Sequence, residues 1–140
     1  MTFQRFSKSK IKNPFVSISI NPRAPQIVFS KLAIEKFDIQ KGQYVDLLYS
    51  PEKKVIGVEL FENFQIVGDK NYNKKHGLIP ITFSRQVTSS ARITCGAFFK
   101  LHEIEFKKSA LKLPIISEAN GNSMILYFDI SRVIKKESNN

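Results

Sequence analysis

"DIQKGQYVDLLYSPEKKVIGVEL", residues 38–60, decides the fold class. Asp38 to Gly42 is turn-like. Tyr44 to Tyr49 then alternates, with Val45, Leu47 and Tyr49 on one face. "SPEKK" (50–54) turns the chain, and Val55 to Leu60 returns it as a second strand. Upstream, "KLAIEKF" (31–37) suits two helical turns behind Ser30 as N-cap, with Leu32, Ala33 and Phe37 on the buried face. Ile27 to Phe29 is a short strand. Two prolines in "NPRAP" (21–25) separate it from "FVSISI" (15–20), where Val16, Ile18 and Ile20 oppose Ser17 and Ser19. The unit reads strand, strand, helix, strand, strand.

The second half repeats that order. "LIPITFS" (78–84) stands where "FVSISI" stood, and "ARITC" (91–95) ends in Cys95 as "QIVFS" ends in Ser30. "GAFFKLHEI" (96–104) follows, with Ala97, Phe98, Phe99 and Ile104 at the positions of Leu32, Ala33, Ile34 and Ile39. "ALKLPII", the turn "SEANGN" and "SMILYFDI" close the unit. Pro114 points to an edge strand or a bulge, because proline cannot donate to a central ladder. "MILYFDI" is apolar at nearly every position and reads as a central strand covered on both faces. The expected fold is mostly β (α+β): duplicated β-β-α-β-β units forming one barrel or two packed sheets with two short helices. One domain spans 1–140, with pseudo-repeats 15–60 and 78–130, a basic N-terminal arm 1–14 and a basic C-terminal tail 131–140. The connection "FENFQIVGDKNYNKKHGL" (61–78) joins the halves, with a short strand expected at Phe64 to Val67.

The chain has 140 residues, 42% of them hydrophobic and 12 of them phenylalanine, enough for one core. No window holds the roughly 18 consecutive apolar residues of a membrane helix. "MTFQRFSKSKIKNPF" lacks the apolar core of a secretory signal, so a cytoplasmic location is expected. Cys95 is the only cysteine, which excludes an internal disulfide and a thiolate zinc site.

The net charge of +10, with an isoelectric point near 9.8, favours a polyanionic partner. Arg5, Lys8, Lys10, Lys12, Arg23 and Lys31 all precede the first acidic residue, Glu35. Lys70, Lys74, Lys75, Arg85 and Arg92 form a second basic stretch, and "RVIKKESNN" a third.

A catalytic set is not apparent. His76 lies in the basic loop "NKKHG" and reads as a solvated turn residue. His102, at the position of Phe37, reads as a half-buried histidine with a local hydrogen bond. Cys95 precedes a helix start that would lower a thiol pKa, but its surroundings suit a small buried or capping residue. Asp46, Glu59, Glu62 and Asp129 do not cluster as a metal or acid–base site requires, and read as solvated charges or lysine partners. The six glycines form neither a G-x-G-x-x-G run nor a P-loop. No metal or cofactor is expected.

These features point to a small non-enzymatic nucleic-acid-binding protein, with DNA favoured over RNA. Arg5, Lys8, Lys10, Lys12, Arg23, Lys70, Lys74, Lys75, Arg85 and Arg92 would contact phosphates, and Tyr72 would stack on an unpaired base. The alternative is a phage- or mobile-element-type accessory or inhibitor protein whose basic face docks on an acidic or nucleic-acid-processing protein.

Residues 26–58, "QIVFSKLAIEKFDIQKGQYVDLLYSPEKKVIGV", resemble the half-motif of AbrB-type swapped-hairpin transcription factors. Ile39, Lys41, Gly42, Val45 and the Val55–Val58 return strand fit its outline, and a tandem version resembles the MraZ branch. The family opens its helix with a proline and carries an arginine within it, where this chain has Ser30-Lys31 and Glu35-Lys36. The second copy has "EIEFKKSA" in place of the glycine turn. The resemblance implies DNA contact by basic residues before the helix, for which Arg23 is the matching residue, and it implies a homodimer or higher homo-oligomer. A duplicated strand-rich domain with one helix per half is also similar to Whirly-type single-strand binders.

Overall fold

The computed structural model describes residues 13–20, 25–40, 43–61, 77–83, 90–121 and 123–135. In chain order the elements are β1 (Phe15–Ser19), β2 (Gln26–Phe29), α1 (Lys31–Lys36), β3 (Tyr44–Ser50), β4 (Val55–Phe61), β5 (Ile79–Pro80), β6 (Thr82–Phe83), β7 (Ala91–Thr94), α2 (Gly96–Leu101), β8 (Ala110–Pro114), β9 (Ile116–Asn120) and β10 (Ser123–Asp129). They form two five-stranded antiparallel sheets, in the orders β6-β7-β2-β1-β8 and β5-β3-β4-β10-β9. The chain is thus mostly β with two short helices, arranged as two packed sheets and not as one closed barrel.

Alternation builds the core. In β1 and β2 every second residue is buried: Val16 and Ile18, then Ile27 and Phe29. From the other sheet Val45, Ile56, Val58, Leu126 and Phe128 meet them, each at most 1% exposed. Filling this shared layer is the main stabilising term, about 1.5–3 kcal/mol for each large apolar side chain.

Two prolines mark where the chain changes sheets. "LIPITFS" and "ALKLPII" each read as one strand, but each divides. β5 ends at Pro80 and β6 starts at Thr82 in the other sheet; β8 ends at Pro114 and β9 starts at Ile116 in the other sheet. Ile81 N–H donates to Gln43 O (2.8 Å) and Ile115 N–H to Pro14 O (3.3 Å), so each step keeps a ladder-like bond. β8 is an edge strand, as Pro114 suggests, and its register with β1 slips between Val16 and Ile18, where Lys112 takes φ 57°. β10 is central, between β4 and β9. Its cover is complete at Leu126 (0% exposed) and Ile125 (7%), but Asp129 is exposed. Gly57 makes room on that outer face: an added Cβ would lie 3.2 Å from both Ile125 and the Tyr127 ring.

The helices are set in the same way in both halves. Ser30 Oγ accepts from Ala33 N–H (3.2 Å) and from Phe15 N–H (3.2 Å). Cys95, at the equivalent place, makes no side-chain cap. After each helix one residue turns left-handed, Asp38 at φ 51° and Glu103 at φ 54°. Ile39 N–H then reaches back to Ile34 O (3.0 Å), and Ile104 N–H to Phe99 O (2.8 Å), the bond that closes a Schellman-type helix end. Ala33, Phe98 and Phe99 face the core. Ile34, rather than the expected Leu32, packs there beside Phe37, because the short helix turns its i and i+1 positions inward. The first residues of the C-terminal tail are tied down: Phe106 bridges Ile134, Lys135 N–H donates to Glu105 O (2.7 Å), and their side chains form an exposed ion pair (3.7 Å). The strand expected at Phe64–Val67 lies outside the described residues.

Candidate nucleic-acid interface

Strand order sorts the charges in a way that the linear sequence hides. The strands of the first sheet carry Arg92 and Lys112 and no carboxylate. The strands of the second carry Asp46, Glu59, Glu118 and Asp129 and no cation.

Arg92 is exposed on β7. Its row across the first sheet runs Ser17, Val28, Arg92, Thr82, and the next row runs Ser19, Gln26, Thr94. Period-two alternation sends all of these side chains to the outer face, because Val16, Ile18, Ile27, Phe29, Ala91 and Ile93 turn inward. The result is a mixed sheet face: four hydroxyls, one amide and one guanidinium, with Val28 in the Arg92 row and Phe15 on the same side of β1. Its polar groups donate to phosphate oxygens, and a guanidinium can do so with two parallel bonds. Lys112 adds an exposed ammonium at the edge of the same sheet.

Of the residues expected to contact nucleic acid, Arg92 is described. Arg5, Lys8, Lys10 and Lys12 (in 1–12), Arg23 (in 21–24), Lys70, Tyr72, Lys74 and Lys75 (in 62–76) and Arg85 (in 84–89) lie outside the described residues. Their places in the chain are still informative. Arg23 lies in the connection from β1 to β2, and Arg85 in the connection from β6 to β7, the two hairpins that flank the central β2·β7 ladder. Described residues include 11 lysines and arginines against 9 acidic residues, a net of +2. The other eight units of the +10 therefore belong to the remaining segments.

The second sheet's outer face has the opposite character. Asp46 and Glu59 sit directly opposite each other on β3 and β4. Burial pushes the Asp46 carboxyl above the usual range; a bond from Leu47 N–H opposes this, and the Glu59 charge adds to it. Glu59 is not a freely solvated charge, and among the described residues no lysine pairs with it, contrary to expectation. It accepts from Ser123 Oγ (2.7 Å) and Asn120 Nδ2 (3.1 Å), since β10 and β9 present those groups beside it. The Ser131 hydroxyl, together with Ser131 N–H (2.7 Å), bonds to Asp129 and lowers its pKa.

His102 also differs from expectation. It is exposed, because α2 stops at Leu101 and His102 is the C-cap. Its ring rests against Phe98 (centroids 4.7 Å apart) and Tyr49 (5.3 Å), an aromatic group that crosses from α2 to β3. Cys95 is the small buried residue that the sequence suggests. It is 1% exposed, burial pushes its thiol up to about 12, and Sγ donates to Pro25 O at 3.5 Å. A thiol with that pKa is not a nucleophile near neutral pH.

Beside the end of α1 a cleft of about 490 Å³ is lined by Phe37, Leu60, Phe61 and Met124, with Lys36 and Asp38 at its polar side. Gln40 Nε2 donates to Asp38 there (3.1 Å). Among the described residues no group of three or more histidine, cysteine or acidic side chains is placed to hold a metal ion, and no helix is long and apolar enough to cross a membrane. Comparison of the chain with protein families, curated proteins and solved structures finds no match.

Proposed function

We propose that this chain is a small non-enzymatic nucleic-acid-binding domain of the cytoplasm, for DNA rather than RNA, that grips the phosphate backbone from the side of its first sheet. The division of charge carries this reading: an acid-free sheet face with Arg92 and Lys112, flanked in the chain by cationic segments, set against a second sheet whose charged strand residues are all acidic. Phosphates concentrate where cations are unopposed, and counterion release then drives association.

The same reading includes an internal duplication. Ser30 and Cys95, Asp38 and Glu103, and the two helix-closing bonds recur at a constant spacing of 65 positions. The β2·β7 ladder is consistent with a local dyad, pairing Gln26 with Thr94 and Phe29 with Ala91. Under that dyad the connection from β1 to β2, which holds Arg23, corresponds in chain order to that from β6 to β7, which holds Arg85, and this suits a ligand with twofold backbone symmetry such as a duplex. The swapped-hairpin resemblance of residues 26–58, and the homodimer that it implies, fit the same picture.

Fluorescence anisotropy with labelled duplex DNA, single-stranded DNA and RNA tests it. Binding is expected at low salt at micromolar concentration or below, weakening by roughly 10³-fold or more between about 50 and 200 mM salt if six or more phosphates are neutralised. Arg92→Glu with Lys112→Glu, and separately Lys74→Glu with Lys75→Glu, should weaken it, and Glu118→Lys should not. No binding to any of the three at low salt overturns the reading and leaves the protein-partner alternative, for which a nuclease-treated pull-down is the assay.

A further inference from the structure

The cleft at the end of α1 plays no part in a grip on phosphates from the first sheet. A turn fixed at both ends makes it. Asp38 takes φ 51°, and Ile39 N–H folds back to Ile34 O. Gln40 and Gln43 then bond to each other twice: Gln43 N–H donates to Gln40 O (3.2 Å), and Gln40 N–H to Gln43 Oε1 (3.1 Å). Gln43 Nε2 reaches Phe61 O (3.4 Å), which fastens the turn to the end of β4. The space beside it, about 490 Å³, is of the size that holds a small ligand. Leu60 and Met124, opposite each other on β4 and β10, make its apolar side with half-buried Phe37 and Phe61. The polar side has groups to offer. Gln40 Nε2 gives one hydrogen to Asp38 Oδ2 (3.1 Å). Its second hydrogen, Gln40 Oε1 and Asp38 Oδ1 find no partner among the described residues. Lys36 is exposed on the same side, with Nζ 5.8 Å from the Phe37 ring centroid.

We propose that this cleft takes one unstacked, amino-bearing base of a bound strand, adenine above all, with Lys36 on the adjoining phosphate. A base is flat and aromatic, with donors and acceptors along its edge, so it covers the Phe37, Phe61 and Met124 side while its edge bonds the rim. An acyl chain covers the same apolar side but buries the amide and the carboxylate without partners, which is costly. The Gln40–Asp38 end selects among bases. It sets two acceptors beside one N–H. Adenine's amino group supplies two hydrogens next to a ring-nitrogen acceptor, the complement of that set. Thymine has no amino group and brings carbonyl oxygens against the carboxylate. The ligand class rests on the nucleic-acid reading; the position of the cleft does not. Phosphate contacts alone carry no sequence information, and this cleft supplies a base preference that the first sheet lacks.

Anisotropy with labelled oligo(dA) and oligo(dT) of equal length, together with an NMR titration of the full chain by deoxyadenosine monophosphate, tests this. The nucleotide should shift the amides of Gln40, Gln43 and Phe61 and leave that of Arg92 in place. Oligo(dA) should bind at least roughly fivefold more tightly than oligo(dT). Gln40→Ala and Asp38→Asn should each bring that ratio toward one. Asparagine tolerates the positive φ at 38, and the charge that Asp38→Asn removes acts on both oligomers alike, so the ratio isolates the base contact. Met124→Trp, which fills the cleft, should abolish the preference, with circular dichroism confirming that the variant is folded. Equal affinity for the two oligomers, or a ratio that survives both Gln40→Ala and Met124→Trp, overturns the inference and leaves the backbone reading intact. Shifts at the cleft with no oligomer bound at low salt sink the nucleic-acid reading and keep the cleft as a site for the free nucleotide. Neither shifts nor binding overturns both.

Discussion

Replacing Ser30 by alanine removes a side-chain oxygen that joins the start of α1 to β1 and leaves the backbone bond from Ser30 N–H to Phe15 O (3.0 Å) in place. Ser30 Oγ accepts two backbone N–H groups, from Ala33 inside the helix and from Phe15 at the start of β1. Ala33 is fully buried and Phe15 is half-buried, so neither donor turns freely to water. Loss of the cap costs about 1 kcal/mol. The second orphaned N–H costs about 1 kcal/mol more. The sum, about 2 kcal/mol, lowers the midpoint of a 140-residue chain by about 6 °C. Urea and thermal melts followed by far-UV circular dichroism read this directly. Ser30→Thr keeps the oxygen and should stay within about 0.5 kcal/mol of wild type. A loss below about 0.5 kcal/mol for Ser30→Ala would refute the double-acceptor reasoning, because a single exposed cap is already worth that much.

Two further outcomes concern ionisable groups. The raised pKa of Asp46 means that its ionised form costs the fold; the cost is present at neutral pH and is relieved as pH falls through the folded value toward the unfolded one. Asp46→Asn should therefore be more favourable relative to wild type at pH 7 than near pH 3, and melts that showed the opposite pH trend would contradict the cost of burying the Asp46 carboxylate. Cys95, with its thiol held up to about 12, should resist iodoacetamide at pH 8 in the native protein and react at once in 6 M guanidinium. Rapid native modification would show the site to be open.

Much of the fold is legible because its signals are local. Alternation in "FVSISI" and "YVDLLYS" identifies β1 and β3 and their inner faces, and Ser30 announces α1. The sheet changes at Ile81 and Ile115 are not legible, since each is a single apolar residue inside an apolar run. Pro80 and Pro114 signal an interruption there but not its direction. His102 misled because a helix pattern does not say which turn is the last. The candidate interface is legible as charge and not as geometry. Arg92 is a lone arginine until β2, β1 and β6 lie beside it, and Lys112 carries no signal before the bulge in β8 sets its place. The segregation of acids into one sheet depends on strand order, which no local pattern encodes.

That strand order also governs how the chain finds its fold. Of the eight strand ladders among the described residues, β2·β7, β1·β8, β3·β5 and β4·β10 each join a strand before Phe61 to one after Gly77. Neither half can complete a sheet alone, since β1 and β2 lack both outer neighbours and β4 lacks the strand that covers its second edge. The last-made half of the chain must therefore arrive before the first can bury Val16, Ile27 or Val58, and loop closure is spent before those contacts are gained. Folding of this kind is slow and all-or-none, and two separate fragments cut between Phe61 and Gly77 would be expected to fold only in each other's company.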